Sequence, residues 1–161
     1  MSRVVAVIAV ALLIAGANAY DVVDFGLAWN GYGTGTLNPP DGFAVEGPGG
    51  PAFEYSEGYF SGIAPTTGLL TFDYEYVCDD TYDGAFYRVN GTLTDIETND
   101  GMFTGSLSIP LTAGDTFDIG AWSGDSLYGV AYLTVTNFNQ APEPSALTLL
   151  TLAGLTLLRR R

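Results

Sequence analysis

The sequence contains no histidine and no lysine, and its one cysteine is Cys78. Without histidine, a Ser-His-Asp triad and a zinc site with imidazole ligands are both excluded. A single cysteine excludes an intramolecular disulfide and a zinc site built on several thiolates. Because Cys78 also lacks an imidazole base that would activate it as a nucleophile, we expect it to be a buried structural thiol.

Basic residues are nearly absent from the central part of the chain. Of the five basic residues only Arg88 lies between residues 20 and 140, whereas seventeen of the eighteen acidic residues lie there, a net charge of −16. This charge repels a phosphate backbone, which excludes nucleic acid as a partner. It attracts divalent cations and favours solubility. A saline habitat would select the same composition, so metal binding and a merely solvated surface both remain open.

The first nineteen residues have the organisation of a secretory signal peptide. Arg3 supplies a basic n-region, residues 4–15 form an apolar h-region, and Ala17 and Ala19 are the small residues of a cleavage site. The prediction is a signal peptide over residues 1–19 and a mature chain that begins at Tyr20.

The C-terminal segment, residues 141–161, has three parts. They are the tripeptide Pro142-Glu143-Pro144, an uncharged apolar run over residues 145–158, and the basic end Arg159, Arg160 and Arg161. The prolines prevent a helix from forming through the tripeptide, so a helix would begin after Pro144. Fourteen helical residues extend about 21 Å, less than the ~30 Å hydrocarbon core of a bilayer. The arginines resist translocation and stay cytoplasmic, so the segment predicts a thin membrane anchor with the rest of the chain outside.

This combination of tripeptide, apolar helix and arginine cluster resembles the PEP-CTERM sorting signal of exported bacterial proteins. The resemblance implies recognition of Pro142-Glu143-Pro144 by a membrane transpeptidase called exosortase, which removes the apolar tail. It also implies an inner-membrane intermediate, followed by the cell surface or extracellular matrix of a Gram-negative-type bacterium, in association with exopolysaccharide and biofilm. The signal specifies sorting alone, because the family's members carry many unrelated domains in front of it.

Residues 20–140 have the length of one domain, and their apolar residues recur with a period of two. Because turn residues interrupt this pattern regularly, the prediction is an all-β, jelly-roll-like antiparallel β-sandwich of seven or eight short strands. A signal-peptide helix and a C-terminal hydrophobic helix would flank it. The predicted strands are residues 22–29, 53–60 with a β-bulge at Glu57-Gly58, 69–78, 85–89, 92–96, 102–109, 116–122 and 127–138. Residues 30–51 are predicted mostly as loop, with one weak additional strand at 43–46.

Two local patterns define the middle of this domain. Large residues at positions 70, 72, 74 and 76 alternate in phase with Cys78, which predicts that this strand buries one face. Asn90-Gly91 is the strongest short-range signal for a two-residue hairpin turn. In that register Val89 faces Thr92, Arg88 faces Leu93 and Phe86 faces Asp95. Arg88 and Asp95 then share a face diagonally, so we expect Asp95 to be the partner of the central segment's one base.

The loop after Cys78 is the sharpest candidate for a metal site. Asp79, Thr81, Asp83 and Gly84 occupy positions 1, 3, 5 and 6 of a pattern like that of an EF-hand loop, and Asp80 adds a further carboxylate. Oxygen ligands at this spacing in a tight loop suit calcium. Position 12 is Asn90 rather than glutamate, and an Asp-rich turn would use the same residues to hydrogen-bond its own backbone. A calcium site and a plain turn are therefore both open.

Aromatic and acidic residues suggest two other kinds of site. Trp29, Trp122 and several tyrosines could stack on sugar rings, whereas those in phase with buried positions belong to a core. Glu54 and Glu57 illustrate the carboxylate pairs that a glycoside hydrolase needs, but so many acids produce such pairs by chance.

These observations favour an exported, non-enzymatic protein of the cell surface or extracellular matrix, sorted through its tail by an exosortase. Its other expected partners are extracellular polysaccharide and, transiently, the membrane. The alternatives are a calcium-assisted carbohydrate-binding module and, behind it, a glycoside hydrolase. An exposed Trp or Tyr on a concave face would favour binding, whereas two facing acids in a cleft would favour hydrolysis.

Overall fold

The computed structural model describes residues 19–47, 54–79, 81–125 and 131–143. The predicted signal peptide up to residue 18 and the tail from Pro144 onwards lie outside the described residues, as do both predicted terminal helices. Among the residues that are described, no helix is long and apolar enough to cross a membrane.

The described part of the chain forms ten β-strands. They are β1 (Ala28–Gly31), β2 (Thr34–Asn38), β3 (Gly42–Glu46), β4 (Ser56–Ile63), β5 (Gly68–Cys78), β6 (Asp83–Val89), β7 (Thr92–Glu97), β8 (Gly101–Leu111), β9 (Thr116–Ser123) and β10 (Tyr132–Pro142).

The strands form two five-stranded antiparallel sheets. The first sheet has the order β1-β4-β9-β6-β7 and the second sheet has the order β2-β3-β10-β5-β8. From β3 to β10 the chain alternates between the sheets at every step except the β6–β7 hairpin, which is the arrangement of a jelly roll. Strands β1 and β2 each add one strand to an edge. The predicted jelly-roll-like antiparallel sandwich is therefore confirmed, with ten strands rather than seven or eight.

The core lies between the sheets and is rich in phenylalanine. Phe138 is its central ring, with centroid distances of 5.0 Å to Phe25, 6.0 Å to Phe43, 6.2 Å to Phe72 and 6.2 Å to Phe117. These rings come from both sheets and from the N-terminal segment. Their burial supplies the apolar driving force that holds the two sheets together.

Both patterns predicted for the middle of the domain are confirmed. In the β6–β7 hairpin Val89 pairs with Thr92, Arg88 with Leu93 and Phe86 with Asp95. Asn90 and Gly91 have φ angles of 51° and 79°, which the turn requires at both positions. In β5 the side chains in phase with Cys78 face the core, and Cys78 is itself buried and free of any disulfide.

The first predicted strand, residues 22–29, is wrong over most of its length. Residues 22–26 form a turn, and β1 begins only at Ala28. The Asp21 carboxylate accepts the backbone N–H of Val23 at 2.7 Å, and Gly26 has a φ of 61°. This local hydrogen bonding competes with strand pairing. As a result Val22 is buried and Val23 is exposed.

The prediction of loop for most of residues 30–51 is also wrong. Strands β2 and β3 form a hairpin in which Leu37 faces Phe43. The β2 strand lies at a sheet edge and is exposed along nearly its whole length, so it carries no alternation of apolar and polar residues. Its Gly35 packs under the indole of Trp29, where a Cβ would clash.

Three predictions about individual strands are wrong. The pairing of β4 with β9 is continuous, so no β-bulge exists at Glu57-Gly58. A Cβ at Gly58 would lie 2.8 Å from Cη2 of Trp29, so close packing rather than a bulge explains this glycine. Strand β6 begins at Asp83 instead of residue 85. Strand β10 ends at Pro142 instead of residue 138, and residues 126–130 lie outside the described residues.

Candidate functional site

The outer face of the first sheet carries large aromatic side chains that the core between the sheets does not use. Strands β4, β9 and β6 are adjacent in this sheet, and their register places Glu57, Trp122 and Gly84 in one row. The next row along contains Tyr59, Gly120 and Phe86. We call this surface the aromatic face, defined by Tyr55, Glu57, Tyr59, Phe86, Arg88 and Trp122.

The exposed Tyr55 and the half-buried Trp122 form the solvent-accessible part of the aromatic face. Their rings are stacked, with centroids 6.1 Å apart and an interplanar angle of 25°. Tyr55 is 56% exposed. Trp122 lies over Gly84, where a Cβ would be 2.6 Å from Cε2 of the indole. The glycine therefore lets the indole lie close to the sheet.

Arg88 lies beside two further aromatic rings. Its Cζ atom is 4.4 Å from the ring centroid of Phe86 and 5.6 Å from that of Tyr59. These are cation–π distances. Phe86 is fully buried although it lies on the outer face, which shows how closely its neighbours cover it.

Glu57 joins the exposed and buried parts of the aromatic face. It forms an ion pair with Nη2 of Arg88, and it accepts the hydroxyl of Tyr55 at 2.6 Å. The side chains of Arg88 and Glu57 are only 17% and 20% exposed. Partial burial acts to lower the pKa of Arg88, but the hydrogen bond and charge of Glu57 outweigh it and hold the pKa above its ordinary value. Burial, together with the hydrogen bond to Glu57, raises the pKa of the Tyr55 hydroxyl, which therefore stays a donor.

The predicted partner of Arg88 is thus wrong. Asp95 does lie on the same face, opposite Phe86, but the ion pair is made with Glu57. Hairpin spacing could only propose partners from the adjacent strand β7. Glu57 comes from β4, which lies on the far side of β9 in the sheet. The sequence alone does not give the strand order, so it could not indicate that Glu57 lies close to Arg88.

The two tryptophans have different roles. Trp29 faces the core side, with its ring 5.3 Å from that of Phe60, whereas Trp122 lies on the outer face. Strand phase could have indicated that Trp122 lies on the outer face, because it alternates with the buried residues Phe117, Ile119 and Ala121.

The predicted calcium residues are distributed over two environments. Asp79 and Thr81 are exposed, and Asp80 lies outside the described residues. Asp83 is 1% exposed at the start of β6, with its Oδ2 atom 3.8 Å from Sγ of Cys78. Across residues 19–47, 54–79, 81–125 and 131–143, no group of three or more Asp, Glu, Cys or His side chains is arranged to hold a metal. The calcium site stays a prediction.

The predicted processing points lie close to the last strand. Pro142 ends β10 opposite Gly68, and the N–H of Glu143 donates to the carbonyl of Thr67 at 3.0 Å. Tyr20 pairs with Gln140 of the same strand, with backbone hydrogen bonds of 3.1 and 2.8 Å. The other residues of the two signals, Ala17, Pro144 and Arg159 to Arg161, lie outside the described residues.

The outer face of the second sheet is polar by comparison. Asp73 accepts hydrogen bonds from Ser106 and, at 2.6 Å, from Nδ2 of Asn137, and these bonds lower its pKa. Hydrogen bonds from Asn90 and the Thr112 backbone likewise lower the pKa of Asp115. Both shifts are opposite to the raised pKa of a general acid.

No family model matches the chain, and no curated protein matches it. Among solved structures, it resembles a family 35 carbohydrate-binding module from an environmental isolate at 15% identity and a TM-score of 0.42, covering 79% of this chain and 99% of that one. It resembles a mutant family 29 carbohydrate-binding module complexed with mannohexaose at 13% identity and a TM-score of 0.41, covering 72% and 81%. An exo-β-1,3-galactanase from Phanerochaete chrysosporium is similar at 17% identity and a TM-score of 0.37, over 74% of this chain but only 29% of the enzyme.

Proposed function

We propose that this chain is an exported, non-enzymatic protein that binds polysaccharide through its aromatic face. The observation that carries the proposal is the stacked pair of the exposed Tyr55 and the half-buried Trp122, held beside the ion pair of Glu57 and Arg88. The apolar C–H face of a pyranose ring packs well on an aromatic ring, and the hydroxyls at its rim need polar partners. The aromatic face provides aromatic rings and polar partners within one patch.

The face is organised before any ligand arrives. Tyr55 is fixed by its hydroxyl on Glu57, and Trp122 is fixed by its contact with Gly84. Side chains that are already ordered lose little conformational entropy on binding. A small set of contacts can then provide useful affinity for one strand of a polymer.

Binding without hydrolysis fits the chemistry of the described carboxylates. Both known partners of Glu57, the Arg88 guanidinium and the Tyr55 hydroxyl, donate to its carboxylate. The pKa values of Asp73 and Asp115 are lowered, whereas a glycoside hydrolase requires one carboxyl group with a raised pKa.

We test binding by titrating the full-length chain calorimetrically with neutral hexasaccharides of glucose, mannose and galactose, with and without a calcium chelator. Tyr55→Ala and Trp122→Ala should each weaken binding by about tenfold, equal to about 1.4 kcal/mol. Tyr132→Ala is the matched control, because Tyr132 is an exposed tyrosine on the other sheet whose hydroxyl also donates to a glutamate, Glu46. Equal losses of affinity for Tyr55→Ala and Tyr132→Ala would contradict the proposal. Loss of binding in the chelator would show that binding also requires calcium.

The proposed cellular setting follows from the two ends of the sequence. A leader ending at Ala19 directs export, and the tail from Pro142 to Arg161 is removed by an exosortase after an inner-membrane stage, which leaves the domain at the surface or in the extracellular polysaccharide. Mass spectrometry of the protein from its native host should find a chain that begins at Tyr20 and lacks Arg159 to Arg161. Recovery of the intact C-terminus from the extracellular fraction would contradict this sorting.

A further inference from the structure

We infer that the aromatic face binds electrically neutral polysaccharide in preference to anionic polysaccharide, and that Glu57 sets this preference by neutralising Arg88. The inference rests on the proposed function and adds the chemical class of the ligand.

Arg88 is the only basic residue between residues 20 and 140, and it lies on the aromatic face. A uronic-acid polymer would require it as the counter-ion for the ligand's carboxylate. The guanidinium is already engaged by Glu57 and lies 4.4 Å from the ring centroid of Phe86, with only 17% of the side chain exposed. Removing one partner of such a desolvated pair is costly, so Arg88 is not free to exchange Glu57 for a ligand carboxylate.

The remaining charges on the same face are acidic. Asp118 is the cross-strand neighbour of Arg88 in β9, and Asp95 is the neighbour of Phe86 in β7. With Glu57 balanced by Arg88, these two carboxylates leave the face with a net negative charge. An anionic chain approaching within the Debye length of about 8 Å is therefore repelled.

A neutral sugar meets no such opposition. A carboxylate has about four lone-pair sites and a guanidinium has five N–H donors, so an ion pair retains capacity to hydrogen-bond sugar hydroxyls as donor and as acceptor. The stacked rings of Tyr55 and Trp122 contribute contacts that do not depend on charge. Neutral hexose polymers are thus the ligand class that suits every part of the face.

The test compares a neutral hexasaccharide that the wild-type chain binds with the anionic hexagalacturonate. Titrations use the full-length chain at 50 and 300 mM NaCl. We expect wild type to bind hexagalacturonate at least about tenfold more weakly than the neutral ligand, with neutral binding insensitive to salt. Glu57→Gln keeps the shape of the side chain but removes the charge that neutralises Arg88. It should improve hexagalacturonate binding by several-fold at 50 mM NaCl and weaken neutral binding.

Glu46→Gln provides the matched control, because Glu46 also accepts a tyrosine hydroxyl but lies on the other sheet. It removes the same charge from the protein and should leave both ligands unchanged. Equal or tighter wild-type binding of hexagalacturonate would overturn the inference while leaving glycan binding intact. An unchanged ligand preference in Glu57→Gln would also overturn the inference. Absence of binding to any neutral hexasaccharide would instead overturn the proposed function itself.

Discussion

Arg88 and Glu57 are 31 residues apart in the sequence and form an ion pair on the outer face of the first sheet. The pair connects β6 to β4 across the intervening strand β9. It also orders Tyr55, whose hydroxyl donates to the same carboxylate oxygen. The central segment's one base is thus used to organise a surface rather than to stabilise the core.

The position of Trp122 depends on the absence of a side chain at residue 84. Gly84→Ala would place a Cβ 2.6 Å from the indole, so Trp122 must move away from the sheet. We expect a loss of stability of about 1–3 kcal/mol, typical of overpacking, together with weaker glycan binding. Calorimetric titration and thermal melts measure the two effects separately.

Gly105→Ala is the control for this substitution. Its added Cβ would lie 2.8 Å from Cε1 of Tyr74, so it produces similar crowding in the second sheet. It should lower stability and leave glycan binding unchanged. Comparable loss of binding in both variants would show that binding follows general stability instead of the position of Trp122.

Acid should destabilise the fold through Asp73 and Asp115. Hydrogen bonds hold the pKa of each carboxyl below its ordinary value of 3.8 in the folded state. Each group therefore contributes stability above pH 3.8, and this contribution is lost as the pH falls through the lower folded pKa. Melts of wild type between pH 6 and pH 2 should show this loss, and Asp73→Asn with Asp115→Asn should show a shallower one. An identical pH slope in the double variant would contradict the assignment.

The strand phase of β5 predicts the reactivity of Cys78. The thiol is 2% exposed and faces the core, so a maleimide reagent should label it only after denaturation. Mass spectrometry of the native and the denatured full-length chain measures the difference. Rapid labelling of the native protein would mean that the strand is paired in another register.

Local sequence signals predicted the parts of the fold that depend on neighbouring residues. Asn90-Gly91 determined the register of β6 and β7, and the period-two pattern ending at Cys78 determined which face of β5 is buried. Edge strand β2 was not predicted because its exposed residues show no alternation of apolar and polar side chains. The turn after Asp21 was predicted as a strand, because the apolar alternation gave no sign of the side-chain hydrogen bonds that form the turn.

The aromatic face could be predicted only in part. Phase alone places Trp122 opposite the buried residues of β9, but its contact with Tyr55 requires knowledge that β4 lies beside β9. Gly58 was predicted in a bulge and Gly84 in the acidic loop, whereas both glycines accommodate tryptophan side chains. A glycine inside a strand can mark either a bulge or the close approach of another side chain. The two causes can be distinguished only when the contacting side chain is known.

Calcium binding at the loop after Cys78 remains to be measured. If Asp79 and Thr81 hold Ca²⁺ as their spacing predicts, adding CaCl₂ to the full-length chain should raise its melting temperature more than NaCl of equal ionic strength. Binding only to the folded state stabilises by roughly 2.7 kcal/mol at a hundredfold excess over Kd. Asp79→Asn should remove the response, and Asp41→Asn, which removes a charge from the exposed turn between β2 and β3, should retain it. Asp83 is unsuited to this test because it is buried beside Cys78, and its replacement would alter stability directly. If wild type responds equally to CaCl₂ and NaCl, the calcium prediction is wrong and the loop is an acidic turn.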